Sequence, residues 1–335
     1  MSLESFFNPK SIAVVGVSES PDKLGSVVFK NIIDANYKGN LYAINPKNAG
    51  QTLYGKKCYG SVRDIEERLD LVVIVVPAKF SVGVVDDCIA NNTRNISIIT
   101  AGFGEAGHKD LEEEIYAKCA SNNTNILGPN CLGHICTANN LNASFADGYP
   151  HEGNIAFISQ SGAYCSAMMD WAREKEIGFS HFISIGNKLD LSELELLEAI
   201  KDDPETKGFI FYLESLKHGT EFIELIRDVS KTKPVIIIEP GKSKKAQSAS
   251  MSHTGSLAPN YRTLEVAFEK CGAIQVHTTR EMFYMAEVIQ YAKNDEFAGK
   301  LGILTNAGGV GVLTSDLCEE NGLDISSPNE PTIEK

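Results

Sequence analysis

The stretch SIAVVGVSESPDKLGSVVFKNIIDA, residues 11 to 35, decides the fold. A β-branched apolar run ends at Gly16, a polar turn follows, and apolar residues then recur at helical spacing, the pattern of a strand, a turn and a helix. The same rhythm repeats outward from it. LYAIN (41 to 45), LVVIVV (71 to 76), ISIIT (96 to 100) and NIL (125 to 127) read as further strands, with KDLEEEIYAKCA as the helix before the last. Alternating strands and helices predict βαβ units around a parallel sheet, a Rossmann-like domain over residues 1–150. After NASFADGYPHEG the rhythm restarts with NIAFIS (154 to 159), FSHFISI (179 to 185), GFIFYLE (208 to 214), PVIIIE (234 to 239) and GAIQV (272 to 276). These predict a second, flavodoxin-like α/β domain over 151–298. KLGILTNAGG (300 to 309) opens a third α/β unit over 299–335, which is too short to close another sheet. Either the chain is part of a longer one or this unit docks on another chain.

With 335 residues, 43% hydrophobic and 22% charged, the composition is that of a soluble globular protein of at least two domains. A formal net charge of −13 argues against a nucleic-acid partner, which requires clustered Lys and Arg. No apolar run approaches the about 20 residues that span a bilayer, and MSLESFFNPK lacks the pattern of a signal peptide. Cys58, Cys88, Cys119, Cys131, Cys136, Cys165, Cys271 and Cys318 form no CxxC pair and no zinc-like spacing, so no metal site is expected. Free thiols and the absence of a membrane segment predict a cytoplasmic protein.

The turn after Gly16 presents backbone N–H groups and a helix N-terminus to any ligand above the strand end, an arrangement suited to phosphate. It is not a dinucleotide loop. Val17 and Ser18 follow Gly16, and the next glycine is Gly25, so the G-x-G-x-x-G spacing is missing. The second strand ends in Asn45-Pro46-Lys47 where NAD-binding folds carry an acid for the ribose hydroxyls. Lys47 suits a phosphorylated ribose, such as the 3′-phosphate of CoA; a solvated turn residue is the other reading. Val76-Pro77-Ala78 and Thr100-Ala101-Gly102-Phe103 end the third and fourth strands, on the rim where open α/β sheets take ligands or simply turn.

A second region draws attention through its small residues. EPGKSKKAQSASMSHTGSLAPN (239 to 260) lies between a strand and a helix and carries one histidine, His253. Ser159-Gln160-Ser161-Gly162-Ala163 stands at a strand-to-helix junction, again a helix N-terminus that an anion can approach. Glu214 ends the strand FIFYLE on the same rim, where a carboxylate could orient an imidazole or cap a helix.

ILGPNCLG (126 to 133), FISQSGA (157 to 163), YLES (212 to 215) and SMSHTGSLA (250 to 258) together resemble the α chain of succinyl-CoA synthetase, and still more the archaeal-type ADP-forming acyl-CoA synthetases. The resemblance implies a phosphohistidine at His253, oriented by Glu214, with Ser159, Gln160, Ser161, Gly162, Ala163 and Gly255 around the phosphoryl group. It implies CoA contacts at Gly16, Ser18, Glu19, Ser20, Pro21, Lys47, Pro77, Ile99, Thr100, Ala101, Gly102 and Asn130, the last near the thioester. It places IGNKLDLS (185 to 192) by the acyl pocket, with Lys188 as a carboxylate contact or a surface turn. ATP or ADP and Mg²⁺ would bind in an ATP-grasp β subunit or domain that these residues do not contain, in a hetero- or homo-oligomer. The alternatives are a CoA-binding regulatory module without turnover and, from another class, an NAD-dependent oxidoreductase, which Lys47 disfavours.

Overall fold

The computed structural model describes residues 3–241, 261–291 and 300–327. His253 and Gly255 lie outside the described residues. The chain divides into two compact units, Met1–Gln290 and Tyr291–Lys335.

In the first unit, β1 (Ser11–Val15), β2 (Asn40–Ile44), β3 (Thr52–Leu53), β4 (Lys56–Tyr59), β5 (Leu71–Ile74), β6 (Asn95–Ile98) and β7 (Asn125–Leu127) form one sheet in the order β3-β4-β2-β1-β5-β6-β7. All pairs are parallel except the β3–β4 hairpin. Leaving aside β3, this is the Rossmann order, with its reversal point between β1 and β5. Residues in β1, β5 and β6 are buried on both faces, as helices on either side of a parallel sheet require.

A second sheet follows the order β14-β13-β12-β10-β11-β8-β9, from β8 (Gly133–Cys136), β9 (Leu141–Ser144), β10 (His151–Ser159), β11 (Gly178–Ser184), β12 (Gly208–Tyr212), β13 (Val235–Ile238) and β14 (Ile274–Val276). The five strands from β10 onward are parallel in the flavodoxin order, with the reversal between β10 and β12. The antiparallel hairpin β8–β9 extends this sheet at β11. The chain therefore changes sheets between Leu127 and Gly133, ahead of residue 150.

No slack linker separates the sheets. One apolar core contains Val14 and Leu127 from the first, Val28 from the helix Leu24–Asp34, and Leu141, Ile183 and Phe211 from the second. Asn31 adds direction, its Nδ2 donating to the carbonyls of Ser144 and Ala146 at 2.9 Å each. The N-terminal helix Glu4–Phe7 closes over the hairpin: Phe6 stacks on His134 at 4.1 Å between ring centroids, and Phe7 meets His181 edge-on at 4.8 Å. Burial pulls the His134 ring down to about 3, so it is neutral and donates from Nε2 to the Phe6 carbonyl at 3.2 Å.

The second unit, described by itself, is a single βαβ turn. β15 (Lys300–Leu301) and β16 (Asp324–Ile325) pair in parallel, joined by the helix Gly308–Glu320. Within KLGILTNAGG, read as the opening of this unit, only Lys300–Leu301 is strand.

Candidate functional site

The carboxyl ends of the first sheet build one wall of a cleft of about 1580 Å³. Gly16 carries φ +108°, and a Cβ there would lie 2.5 Å from the Val75 carbonyl oxygen, so only glycine turns the chain off β1. The helix Leu24–Asp34 then starts in close approach to that turn, since a Cβ on Gly25 would lie 2.3 Å from the Gly16 carbonyl oxygen. Neighbouring side chains hold the turn's carbonyls: Ser26 Oγ and Tyr54 OH donate to Ser18 O at 2.9 and 3.0 Å, and Asn45 Nδ2 donates to Val17 O at 2.7 Å. The Ser18 N–H is itself taken by Ser26 Oγ at 3.0 Å, so what the turn leaves for a ligand is the start of the helix, which no side chain caps. Gly16, Ser18, Lys47, Pro77, Ile99, Thr100, Ala101 and Asn130 line the cleft, joined by Lys23, which sequence reasoning did not single out. Glu19, Ser20 and Pro21 form the exposed outer rim of the turn and do not line it.

Gly102 is also absent from the lining, and its N–H is taken by Glu105 Oε1. Burial pushes the Glu105 carboxyl up, but donors from Gly102, Asn187 and Phe103 outweigh it and hold the group below the usual carboxylate range.

The opposite wall comes from the second sheet at its reversal point. Gln160, Ser161, Gly162, Ala163, Glu214 and Ser215 all face the same cleft. Ser161 caps the helix Gly162–Glu174 by accepting from the Tyr164 N–H at 3.3 Å. Ser159 is fully buried; its hydroxyl donates to Ser161 O at 2.9 Å and accepts from Ser161 N at 3.1 Å, so it shapes the turn and does not line the cleft. Gln160 bridges the two strand ends. Its Oε1 accepts from the N–H groups of Glu214 and Ser215 at 2.9 and 3.1 Å, and its Nε2 donates to Ser215 Oγ at 3.1 Å. Glu214, half-buried, is thereby presented at the cleft by its own backbone.

A two-residue joint ties the walls together. Asn187 Oδ1 accepts from Asn130 Nδ2 at 3.3 Å, and the Asn187 N–H donates to Pro129 O at 2.9 Å. The next side chain points the other way. Lys188 is buried, donating to Glu193 Oε2 at 3.0 Å and to Ser215 O at 2.6 Å. Neither reading of Lys188 as a carboxylate contact or a surface turn holds: the ammonium is spent on a buried partner and a main-chain carbonyl. Burial pulls it below the usual lysine range against the opposing pull of Glu193.

All eight cysteines are buried and free. Among the described residues no cluster of three or more His, Cys, Asp or Glu could hold a metal ion, and no helix is long and apolar enough to cross a membrane.

Residues 10–137 match a family of CoA binding domains, and residues 152–289 match the succinyl-CoA ligase like flavodoxin domain. The chain is 39% identical to the alpha subunit of the ADP-forming acetate–CoA ligase I of Pyrococcus furiosus, over 97% of its own length and 71% of the relative's. It is 41% identical to the ADP-forming acetate–CoA ligase of Methanocaldococcus jannaschii, covering 98% of itself and 46% of that longer protein. Among solved structures it superposes with a TM-score of 0.92 on the dinucleotide forming acetyl-coenzyme A synthetase 1 of Candidatus Korarchaeum cryptofilum, in complex with phosphate and ADP. That match has 37% identity and covers 98% of this chain and 71% of that one. The chain spans most of the separate alpha subunit and about half of the longer relative. Two matched domains and identity along nearly the whole chain make this protein a member of the ADP-forming acetate–CoA ligase family, corresponding to its alpha component.

Proposed function

We propose that this chain carries the CoA-binding and phosphoryl-accepting half of an acyl-CoA synthetase that interconverts acyl-CoA, ADP and phosphate with a carboxylic acid, ATP and CoA. The observation that carries the reading is the single cleft. Its first wall has a phosphate-type turn and Lys47, and its second has the Gln160–Ala163 helix start and Glu214. A thioester and a phosphoryl-accepting histidine must meet in one place for this chemistry, and the cleft offers that place.

Phosphate attacks the thioester carbonyl and expels the CoA thiolate, leaving an acyl phosphate. The neutral imidazole of His253 attacks phosphorus and expels the carboxylate. Phosphohistidine then transfers the group to ADP, in an ATP-grasp module on a partner subunit that also supplies Mg²⁺. The N–H groups of Gly162 and Ala163, at the start of a 13-residue helix, are the fixed donors for the phosphoryl oxygens. Glu214 orients the imidazole and favours its cationic form as the bond to phosphorus develops. Lys47 and the Ser18 turn hold the phosphates of CoA, and the walls exclude water from both reactive intermediates. The alpha-subunit relatives imply the beta partner, and their names make acetate the first acid to test.

Intact mass of the chain and of His253→Ala after exposure to acetyl phosphate tests the reading. One acid-labile phosphoryl group on the unmodified sequence and none on the variant is expected. No modification, even with a matched ATP-grasp partner and a panel of acyl phosphates, would leave a CoA-binding module without turnover.

A further inference from the structure

The side-chain amide of Asn187 sits between two carboxylates. Its Nδ2 donates to Glu105 Oε2 at 2.6 Å and to Glu112 Oε1 at 2.7 Å. Ionised carboxylates only accept, so both demand the NH₂ group and the amide cannot turn over. Its Oδ1 is therefore fixed toward Asn130, whose Nδ2 donates to it at 3.3 Å. The polarity passes along: Asn130 turns its amino group toward Asn187, which holds its Oδ1, an acceptor, on the side away from Asn187.

The backbone beneath is equally constrained. Asn130 takes φ +57°, and its N–H donates to Thr100 O at 3.0 Å. A Cβ on Gly186 would lie 2.2 Å from the Pro129 carbonyl oxygen, so the two loops are in contact through their main chains. Asn130 follows β7 and Lys47 follows β2, four strand spacings apart in the sheet order, about 19 Å. A CoA whose ribose phosphate sits at Lys47 brings only its thiol-bearing arm to Asn130.

We propose that Asn187 is a positioning residue: clamped by Glu105 and Glu112, it orients Asn130 so that the Asn130 carbonyl oxygen accepts a hydrogen bond from an amide N–H of the pantetheine arm of CoA. The inference rests on the CoA reading above and adds the polarity of this contact and the residues that set it. Asn187→Leu removes the clamp at similar volume. Glu112→Gln keeps an oxygen that can accept but removes the charge that makes the group accept only, so the demand on the Asn187 amide rests on Glu105 alone.

Calorimetric titration of the full 335-residue chain with CoA, and with adenosine 3′,5′-bisphosphate, which lacks the arm, tests it. CoA is expected to bind about tenfold more weakly to Asn187→Leu and about threefold more weakly to Glu112→Gln, with bisphosphate affinity unchanged in both. Unchanged CoA affinity in both variants would overturn the proposal, and so would equal losses for both ligands, which mean a collapsed loop. Failure of the unmodified chain to bind CoA needs no variant to detect, and it would overturn the underlying CoA reading itself.

Discussion

The Lys188 ammonium lies 2.6 Å from the carbonyl oxygen of Ser215, the residue that follows Glu214. The same ammonium pairs with Glu193, which is fully buried and whose other oxygen accepts from the Lys217 N–H at 3.0 Å. A buried charge pair thus pins the segment that presents Glu214.

Removing one member of such a pair leaves an uncompensated charge, which costs about 3–5 kcal/mol, whereas replacing both costs far less. Lys188→Met is expected to lower stability by about 3 kcal/mol in urea unfolding, and Lys188→Met/Glu193→Gln to recover part of it. Equal stabilities for the single variant and the unmodified chain would show that the pair does not hold the segment.

Gln160 holds the same segment from the other side with three hydrogen bonds to residues 214 and 215. Gln160→Leu keeps the apolar stem and loses all three. The rate of acid-labile phosphoryl incorporation from acetyl phosphate is expected to fall at least tenfold, by about 1.4 kcal/mol or more in activation free energy, while CoA affinity stays the same. A parallel loss of CoA affinity would mean that the variant disturbs the whole cleft.

Much of this was legible in the sequence because the parallel strands are buried on both faces and read as unbroken β-branched runs, LVVI and VIII among them. The β8–β9 hairpin was not. GHIC and LNAS carry His134, Asn142 and Ser144, which look like loop residues until their partners are known: the Phe6 carbonyl for His134, and one another for Asn142 and Ser144. The β3–β4 hairpin is short, with lysines on its second strand, and turns at Tyr54 and Gly55, both at positive φ. The rim positions could be read from strand ends, yet Gly102 could not be known to spend its N–H on Glu105. The Asn187 clamp joins residues 57, 75 and 82 positions apart, and no local pattern encodes that. The two readings of Lys188, a carboxylate contact or a surface turn, both assume an accessible ammonium, and here it is buried.

Lys47 is exposed on the cleft rim, after a turn in which Asn45 Oδ1 accepts its N–H at 3.0 Å. A cation there discriminates ligands by the phosphate on the ribose. Lys47→Ala is expected to weaken CoA binding by about tenfold, or 1.4 kcal/mol, and to leave dephospho-CoA unaffected. The difference should shrink as salt is raised from low to about 0.5 M, since the pair is solvent-exposed. Equal losses for both ligands would assign Lys47 to the diphosphate or to the turn.

His181 and Asp203 give the fold a signature in pH. The ring Nε2 lies 3.1 Å from Asp203 Oδ2 beneath the N-terminal helix. Burial alone would lower the His181 pKa, but Asp203, by hydrogen bond and charge, and Cys136 together outweigh it and raise the group from 6.5 to about 9. For Asp203 burial acts upward, and the His181 and Thr206 hydrogen bonds outweigh it, lowering the group from 3.8 to about 2. The histidine's contribution is fully present below pH 6.5 and is lost as pH rises through about 9; the aspartate's is present above 3.8 and is lost as pH falls through about 2. His181→Gln is therefore expected to be less stable than the unmodified chain by on the order of 1–3 kcal/mol at pH 5 to 6, with the gap closing toward pH 10. Urea unfolding across that range checks it. A gap that stays constant with pH would mean that the imidazole contributes packing against Phe7 and no charge.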